Sequence, residues 1–176
     1  MRGSNIFQVR YAQRPLECGF GQQEGIQMAS IRKEILIKAR SEEVWGAIRD
    51  FGALHQRLVP GFVIDCRLEG DARIVTFANG MVARELLVDL DDQARRLAWA
   101  AVGGRLTHHN ASIQVFADGE GRSRAVWIAD LLPNELAGAI REMIDHGAAA
   151  MKKTLELPSG RSASIPSVQE QRPKGF

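Results

Sequence analysis

Hydrophobic and polar residues change their rhythm several times along this chain, and each change marks a predicted element. Residues 31–38, Ile-Arg-Lys-Glu-Ile-Leu-Ile-Lys, alternate in part and predict a β-strand. Ser41 reads as the N-cap of a helix, with Glu42 and Glu43 in the first turn, where the helix dipole favours negative charge. Val44, Trp45, Ile48 and Phe51 supply its buried stripe at helical spacing. Gly52 ends that helix, a second short helical segment runs to about Leu58, and Pro60-Gly61 is a turn.

Six strands are predicted next: Phe62–Leu68, Ala72–Ala78, Met81–Leu90, Arg95–Val102, Thr107–Ala117 and Ser123–Leu131. Turn residues separate them at Gly70-Asp71, Asn79-Gly80, Asp91-Asp92-Gln93, Gly103-Gly104 and Asp118–Gly121. Asn79-Gly80 predicts a two-residue type I′ hairpin, in which both central residues need positive φ. Pro133-Asn134 then precedes a long helix, about Glu135 to Leu155, with an apolar stripe of Leu136, Ile140, Met143, Gly147, Met151 and Leu155.

This order predicts an α+β fold: a curved antiparallel sheet of about seven strands around a long C-terminal helix, with two short helices after the first strand. A sheet of this kind has one apolar face to bury, and the last helix is the only element long enough to cover it. Its stripe allows two readings. Gly147, Ala148 and Ala150 beside adaptable Met143 and Met151 fit an internal cavity. The same small residues also fit a helix packed closely on the sheet.

The chain has 176 residues, 45% hydrophobic and 25% charged, enough apolar material for one sizeable core. No apolar run approaches the roughly 18 residues of a membrane span. Two cysteines, Cys18 and Cys66, make neither a disulfide framework nor a metal set. The net charge of +2 comes from the ends: Arg2, Arg10 and Arg14 against Glu17 and Glu24, and Arg161, Arg172 and Lys174 against Glu170. Residues 1–28 read as a loosely ordered extension without a signal-peptide apolar core, 29–157 as the domain, and 158–176 as a disordered tail. The body has no basic face with interleaved aromatics, so nucleic acid is not an expected partner.

Ile35-Leu36-Ile37-Lys38-Ala39 before Ser41-Glu42-Glu43-Val44-Trp45, and the Trp127 strand ending in Leu131-Leu132-Pro133 before the long helix, resemble the SRPBCC superfamily. This is the helix-grip fold of START domains, the birch-pollen-allergen group and polyketide cyclase/dehydrase-like proteins, with bacterial members. Leu90-Asp91-Asp92, Gly103-Gly104-Arg105-Leu106-Thr107 and the Asn-Ala-Ser strand are similar to plant abscisic acid receptors. The likeness implies a ligand cavity between sheet and helix. It also implies entrance loops at Asn79, Gly80 and Met81 (the gate) and at Gly103, Gly104, Arg105 and Leu106 (the latch). The gate lacks those receptors' Ser-Gly-Leu-Pro string, and Ile64 stands where they carry a carboxylate-binding lysine.

The expected function is binding of a small hydrophobic or amphipathic ligand, lipid-, isoprenoid- or polyketide-like. Glu85, one of His108 and His109, and Asn110 are the polar candidates; Ile64, Met81, Trp99, Met143, Gly147 and Met151 are the apolar ones. Adjacent His108 and His109 face opposite ways on a strand, so only one can enter the cavity. Glu85 reads either as a pocket carboxylate or as a strand charge paired with Arg84 or a cross-strand arginine. The alternative function is a cyclase/dehydratase-like enzyme, with Glu85, His108 or His109 moving a proton next to a carbonyl. No cofactor and no metal are expected. Any protein partner, or a second copy in a homodimer, is expected at the entrance loops, and the expected location is cytoplasmic.

Overall fold

The computed structural model describes residues 27–157. The readings for 1–26 and 158–176, Cys18 included, lie outside the described residues. β1 (Ala29–Ile37) leads into α1 (Ser41–Ile48) and a π-helical turn at Leu54–Leu58. Then come β2 (Val63–Glu69), β3 (Ala72–Phe77), β4 (Val82–Asp91), β5 (Arg96–Val102), β6 (His108–Ala117) and β7 (Ser123–Leu132). A 3-10 turn at Asn134–Leu136 opens into α2 (Ala137–Leu155). All seven strands form one antiparallel sheet in the order β1-β7-β6-β5-β4-β3-β2. The curved sheet grips α2, which packs on β1 and the π-helical turn. This is the helix-grip α+β fold that the element order predicts.

Period-two alternation decides which side chains enter the core. Ile31, Ile35 and Ile37 of β1, Ala111, Ile113 and Val115 of β6, and Ala125, Ala129 and Leu131 of β7 are all buried. They meet Val44, Trp45 and Ile48 of α1 and Ile144, Ala148 and Met151 of α2 in one cluster. Polar contacts pin α1 to the β4–β5 turn: Trp45 Nε1–H donates to Asp92 Oδ1 at 2.9 Å, and Arg49 pairs with Asp92 at 2.9 Å.

Three local expectations change. Arg40, not Ser41, caps α1; its N–H donates to Glu43 Oε2 at 3.2 Å, while Ser41 is buried and its hydroxyl donates to Glu42. Phe51 lies beyond the end of α1, in the turn that follows. The β3–β4 hairpin is not type I′. Gly80 N–H donates to Phe77 O, Phe77 N–H donates to Met81 O, and in this hairpin only Gly80 has positive φ, at 84°. This is a three-residue loop, Ala78-Asn79-Gly80, closed by a type I turn and a glycine bulge. Asn79 Oδ1 accepts from Met81 N–H at 3.0 Å, which suits the short loop without a left-handed Asn79.

Ser123, at the start of β7, is fully buried, and its Oγ has no hydrogen-bond partner among the described residues. A buried, unpaired hydroxyl costs roughly 1–3 kcal/mol. Ser123→Ala is expected to raise unfolding stability by up to about 1 kcal/mol, since the lost atom also leaves a small void. Urea unfolding midpoints check this, and a clear loss of stability would reveal a partner for the hydroxyl.

Candidate functional site

A cavity of about 470 Å³ lies between the concave face of the sheet and α2. Its walls are mostly apolar. Leu136, Ile140, Met143, Ile144 and Met151 come from the helical side, Leu54, Leu58 and Val59 from around the π-helical turn, and Leu97, Trp99, Ile113 and Trp127 from the sheet. Both readings of the helix are realised along its length. At Gly147 the packing is close, because a Cβ there would stand 3.2 Å from Phe62 Cε1 and 3.3 Å from Trp127 Cζ3. Towards Met143 and Ile140 the helix instead walls the cavity. The aromatic rings interlock, with Phe62 edge-on to Phe77 at 5.3 Å and Trp99 tilted on Trp127 at 5.8 Å.

Four polar side chains interrupt this apolar lining: Arg73, Glu85 and His109 on the strands and Arg105 on the β5–β6 loop. Arg73 and Glu85 stand directly opposite each other on β3 and β4. Arg73 is only 4% exposed, and its Nε and Nη2 both lie 2.7 Å from Glu85 Oε2. Its Nη1 donates to Phe51 O at 3.1 Å, and its guanidinium stacks 4.1 Å from the Phe51 ring centroid. The Trp99 ring closes the other side, 5.8 Å away. Arg73 is thus locked in place, and no group among the described residues donates to Glu85 Oε1. That oxygen is left as a fixed, charged acceptor in the cavity wall.

His109 approaches from β6. Its Nδ1 accepts a hydrogen bond from the backbone N–H of Ala101 at 3.1 Å. A backbone amide can only donate, so Nδ1 is unprotonated and the neutral ring carries its proton on Nε2. Burial holds this imidazole below its ordinary range, opposed by the negative charge of Glu85. Glu85 and His109 thus line one cavity, the first able to accept a hydrogen bond and the second to donate one from Nε2.

Met81, Trp99, Met143, Gly147 and Met151 all line the cavity, as do Gly103, Gly104, Arg105 and Leu106 of the β5–β6 loop. Three other expectations are corrected. Ile64 is 57% exposed and outside the cavity. A bulge explains this: Val63 pairs with Phe77 and Asp65 with Thr76, so Ile64 is an extra residue and the inward positions become Val63 and Cys66. Asn110 and His108 alternate with inward His109 and Ala111, so they belong to the outer face; Asn110 stands opposite Asp130. Asn79 and Gly80, expected in an entrance loop, form the exposed tip of the β3–β4 hairpin next to Met81, which lines the cavity.

Arg73, Trp127 and Phe62 are cavity residues that the strand pattern alone did not single out. The only sequence signal for Arg73 is a charge amid apolar β3, where Ile74 reads equally well as the inward residue. Cys66 is buried, its thiol faces Phe51 O at 3.8 Å, and burial pushes its pKa up, away from thiolate chemistry. Among the described residues, no cluster of three or more His, Cys, Asp and Glu side chains could hold a metal, and no lysine lines the cavity. No described helix is long and apolar enough to cross a membrane.

Solved structures share this architecture. A putative uncharacterized protein from Bacillus thuringiensis is similar over 72% of this chain and 98% of its own, with a TM-score of 0.65 and 20% identity. A START superfamily protein from Mycobacterium smegmatis covers 72% and 97%, with a TM-score of 0.59 and 16% identity. Norcoclaurine synthase from Thalictrum flavum covers 86% and 97%, with a TM-score of 0.58 and 18% identity. At these identities the likeness speaks for the fold. No curated protein matches the chain in sequence. The family profile described as polyketide cyclase / dehydrase and lipid transport matches residues 28–156, the whole span from β1 to the end of α2. The chain belongs to that polyketide cyclase / dehydrase and lipid transport family.

Proposed function

We propose that this protein binds a small amphipathic molecule in the cavity, its polar end against Glu85 and His109 and its apolar body along α2. One observation carries the reading: a mostly apolar cavity is lined on its sheet side by the Arg73-held carboxylate of Glu85 and by the imidazole of His109. A few placed polar groups in an apolar pocket orient a ligand, while apolar burial supplies most of the affinity. A hydroxyl fits this pair best, since it can donate to Glu85 Oε1 and accept from His109 Nε2–H. The family's association with lipids and polyketides supports an amphipathic ligand.

A second reading is an enzyme of the cyclase/dehydratase type. It is favoured by one feature, that Glu85 and His109 line the same space and could shuttle a proton at a carbon next to a carbonyl. Against it stands the double hydrogen bond that commits Glu85 to Arg73. Among the described residues no lysine lines the cavity to offer an amine for a Schiff base.

The test is extraction of the purified protein with organic solvent, followed by mass spectrometry of what it carried. A stoichiometric hydroxylated apolar species is expected. Glu85→Gln should retain it at least tenfold less well, whereas Ile64→Ala, outside the cavity, should retain it fully. Turnover of a polyketide-like β-keto substrate that is lost in Glu85→Gln would favour the enzyme instead.

A further inference from the structure

The ladder between β5 and β6 stops early. Arg96, Leu97, Ala98 and Trp99 pair with Gln114, Ile113, Ser112 and Ala111, but Ala100–Val102 and His108–Asn110 do not pair. Each strand end is still held on its outer side, β5 by β4 as far as Val102 and β6 by β7 as far as His108. The sheet is therefore split along one seam. Val115 N–H donates to Arg95 O, which makes every second pair from there a mutually bonded one. A continued ladder would thus send Ala101 N–H to the carbonyl of His109. It goes instead to the same residue's ring nitrogen, Nδ1. One side-chain hydrogen bond spans the gap that the backbone leaves.

On the outer side of this split lies a second hollow of about 340 Å³. Ala101, Val102, Gly103, Leu106 and His109 line both it and the main cavity. The imidazole and a few small or aliphatic side chains thus border both hollows. Gly103 and Gly104, with φ of 84° and 67°, let the adjoining loop move without side-chain strain.

We propose that the unzipped β5–β6 seam is a side portal of the ligand cavity and that the Ala101 N–H to His109 Nδ1 hydrogen bond is its clasp. The inference rests on the ligand-binding reading of the cavity and adds the route of exchange. Protonation of Nδ1 replaces the acceptor with a second donor facing Ala101 N–H, so the clasp opens. The charged and titratable groups around the ring pull in both directions. Glu85 of β4 and Asp130 of β7 favour the protonated form; His108 of β6 and burial oppose it. Arg73 is tied to Glu85, and Arg105 belongs to the loop. Burial prevails, so the clasp stays shut at neutral pH and opens on acidification below the ordinary histidine range.

Stopped-flow exchange of the fluorescent amphiphile 8-anilinonaphthalene-1-sulfonate tests this, with association and dissociation rates measured from pH 8 to pH 5. In the wild type both rates should rise at least tenfold on acidification, with Kd changing about threefold or less. His109→Asn, whose Oδ1 can accept from Ala101 N–H but does not titrate, should exchange slowly at every pH. His109→Ala should exchange fast at every pH; if it fails to fold, the wild-type pH series and His109→Asn still decide. Rates that ignore pH in the wild type, or that follow pH equally in His109→Asn, overturn the portal while leaving the cavity reading intact. A change in dissociation alone would mean that His109 acts only as a ligand contact, and would overturn the clasp. Absence of saturable probe binding overturns the cavity reading, and the portal with it.

Discussion

Glu85→Ala is expected to cost about 3–5 kcal/mol of stability, far more than a typical strand substitution. Arg73 is 4% exposed, and its side chain is a charged guanidinium. Removing its partner leaves a buried guanidinium with one hydrogen bond, to Phe51 O, and the faces of Phe51 and Trp99. That is the costly case, an uncompensated charge inside a protein. Replacing both members, Arg73→Met with Glu85→Leu, should instead lie within about 2 kcal/mol of the wild type, because the desolvation cost of both ions disappears together. Urea unfolding of the two single variants and the double variant measures the coupling directly. A loss below about 1 kcal/mol in Glu85→Ala would mean that water in the cavity solvates the guanidinium, and that this wall is wet.

The double variant also has a functional consequence. If the ion pair contributes little net stability, its retention in an otherwise apolar wall calls for another reason. The ligand reading supplies one: Arg73 fixes the carboxylate so that Oε1 points its unused lone pairs at an incoming group. The stable double variant should therefore have lost the polar selectivity of the pocket while keeping its apolar affinity.

Trp99→Ala is the second large effect. Trp99 sits at the centre of β5, 6% exposed, between Trp127 and Arg73. Truncating a buried tryptophan costs about 3–5 kcal/mol through lost transfer energy and the hole left behind. The value should fall near the lower end, about 3 kcal/mol, because part of the ring already borders a cavity and lacks neighbours there. The new space should accept indole, and saturating indole should restore much of the lost thermal stability by linkage. Calorimetric scans of the variant with and without indole check both parts. No shift with indole would mean that Trp127 and Phe62 collapse into the gap.

The portal and the polar cluster bear on each other. In the proposed reading His109 serves the ligand with Nε2–H and the seam with Nδ1, so ligand contact and portal state share one ring. A ligand group that accepts from Nε2–H leaves Nδ1 as the acceptor for Ala101 and helps keep the seam shut. An occupied cavity is thereby expected to exchange more slowly than an empty one fills.

The sequence by itself settles the elements and their order. Gly, Asn and Asp turn residues punctuate the strands, and the helical stripe from Leu136 to Leu155 stands out because local propensity and periodicity act over neighbouring residues. It also shows that His108 and His109 must part company, since adjacent side chains on a strand face opposite ways. Facing is less legible wherever the ladder departs from regularity. Ile64 reads as a pocket residue until the bulge beside it shifts the inward positions to Val63 and Cys66. Tertiary structure alone decides the chemistry of the cavity. A two-residue Asn79-Gly80 turn would set Arg73 against Leu86; the observed three-residue loop moves β4 by one position and sets it against Glu85. The same holds for the split seam, where the register of Ala101 and His109 is visible only once the two strands are side by side. Local pattern fixes what each segment becomes, but a site is made by register between distant segments, and one residue of slip changes which side chains meet.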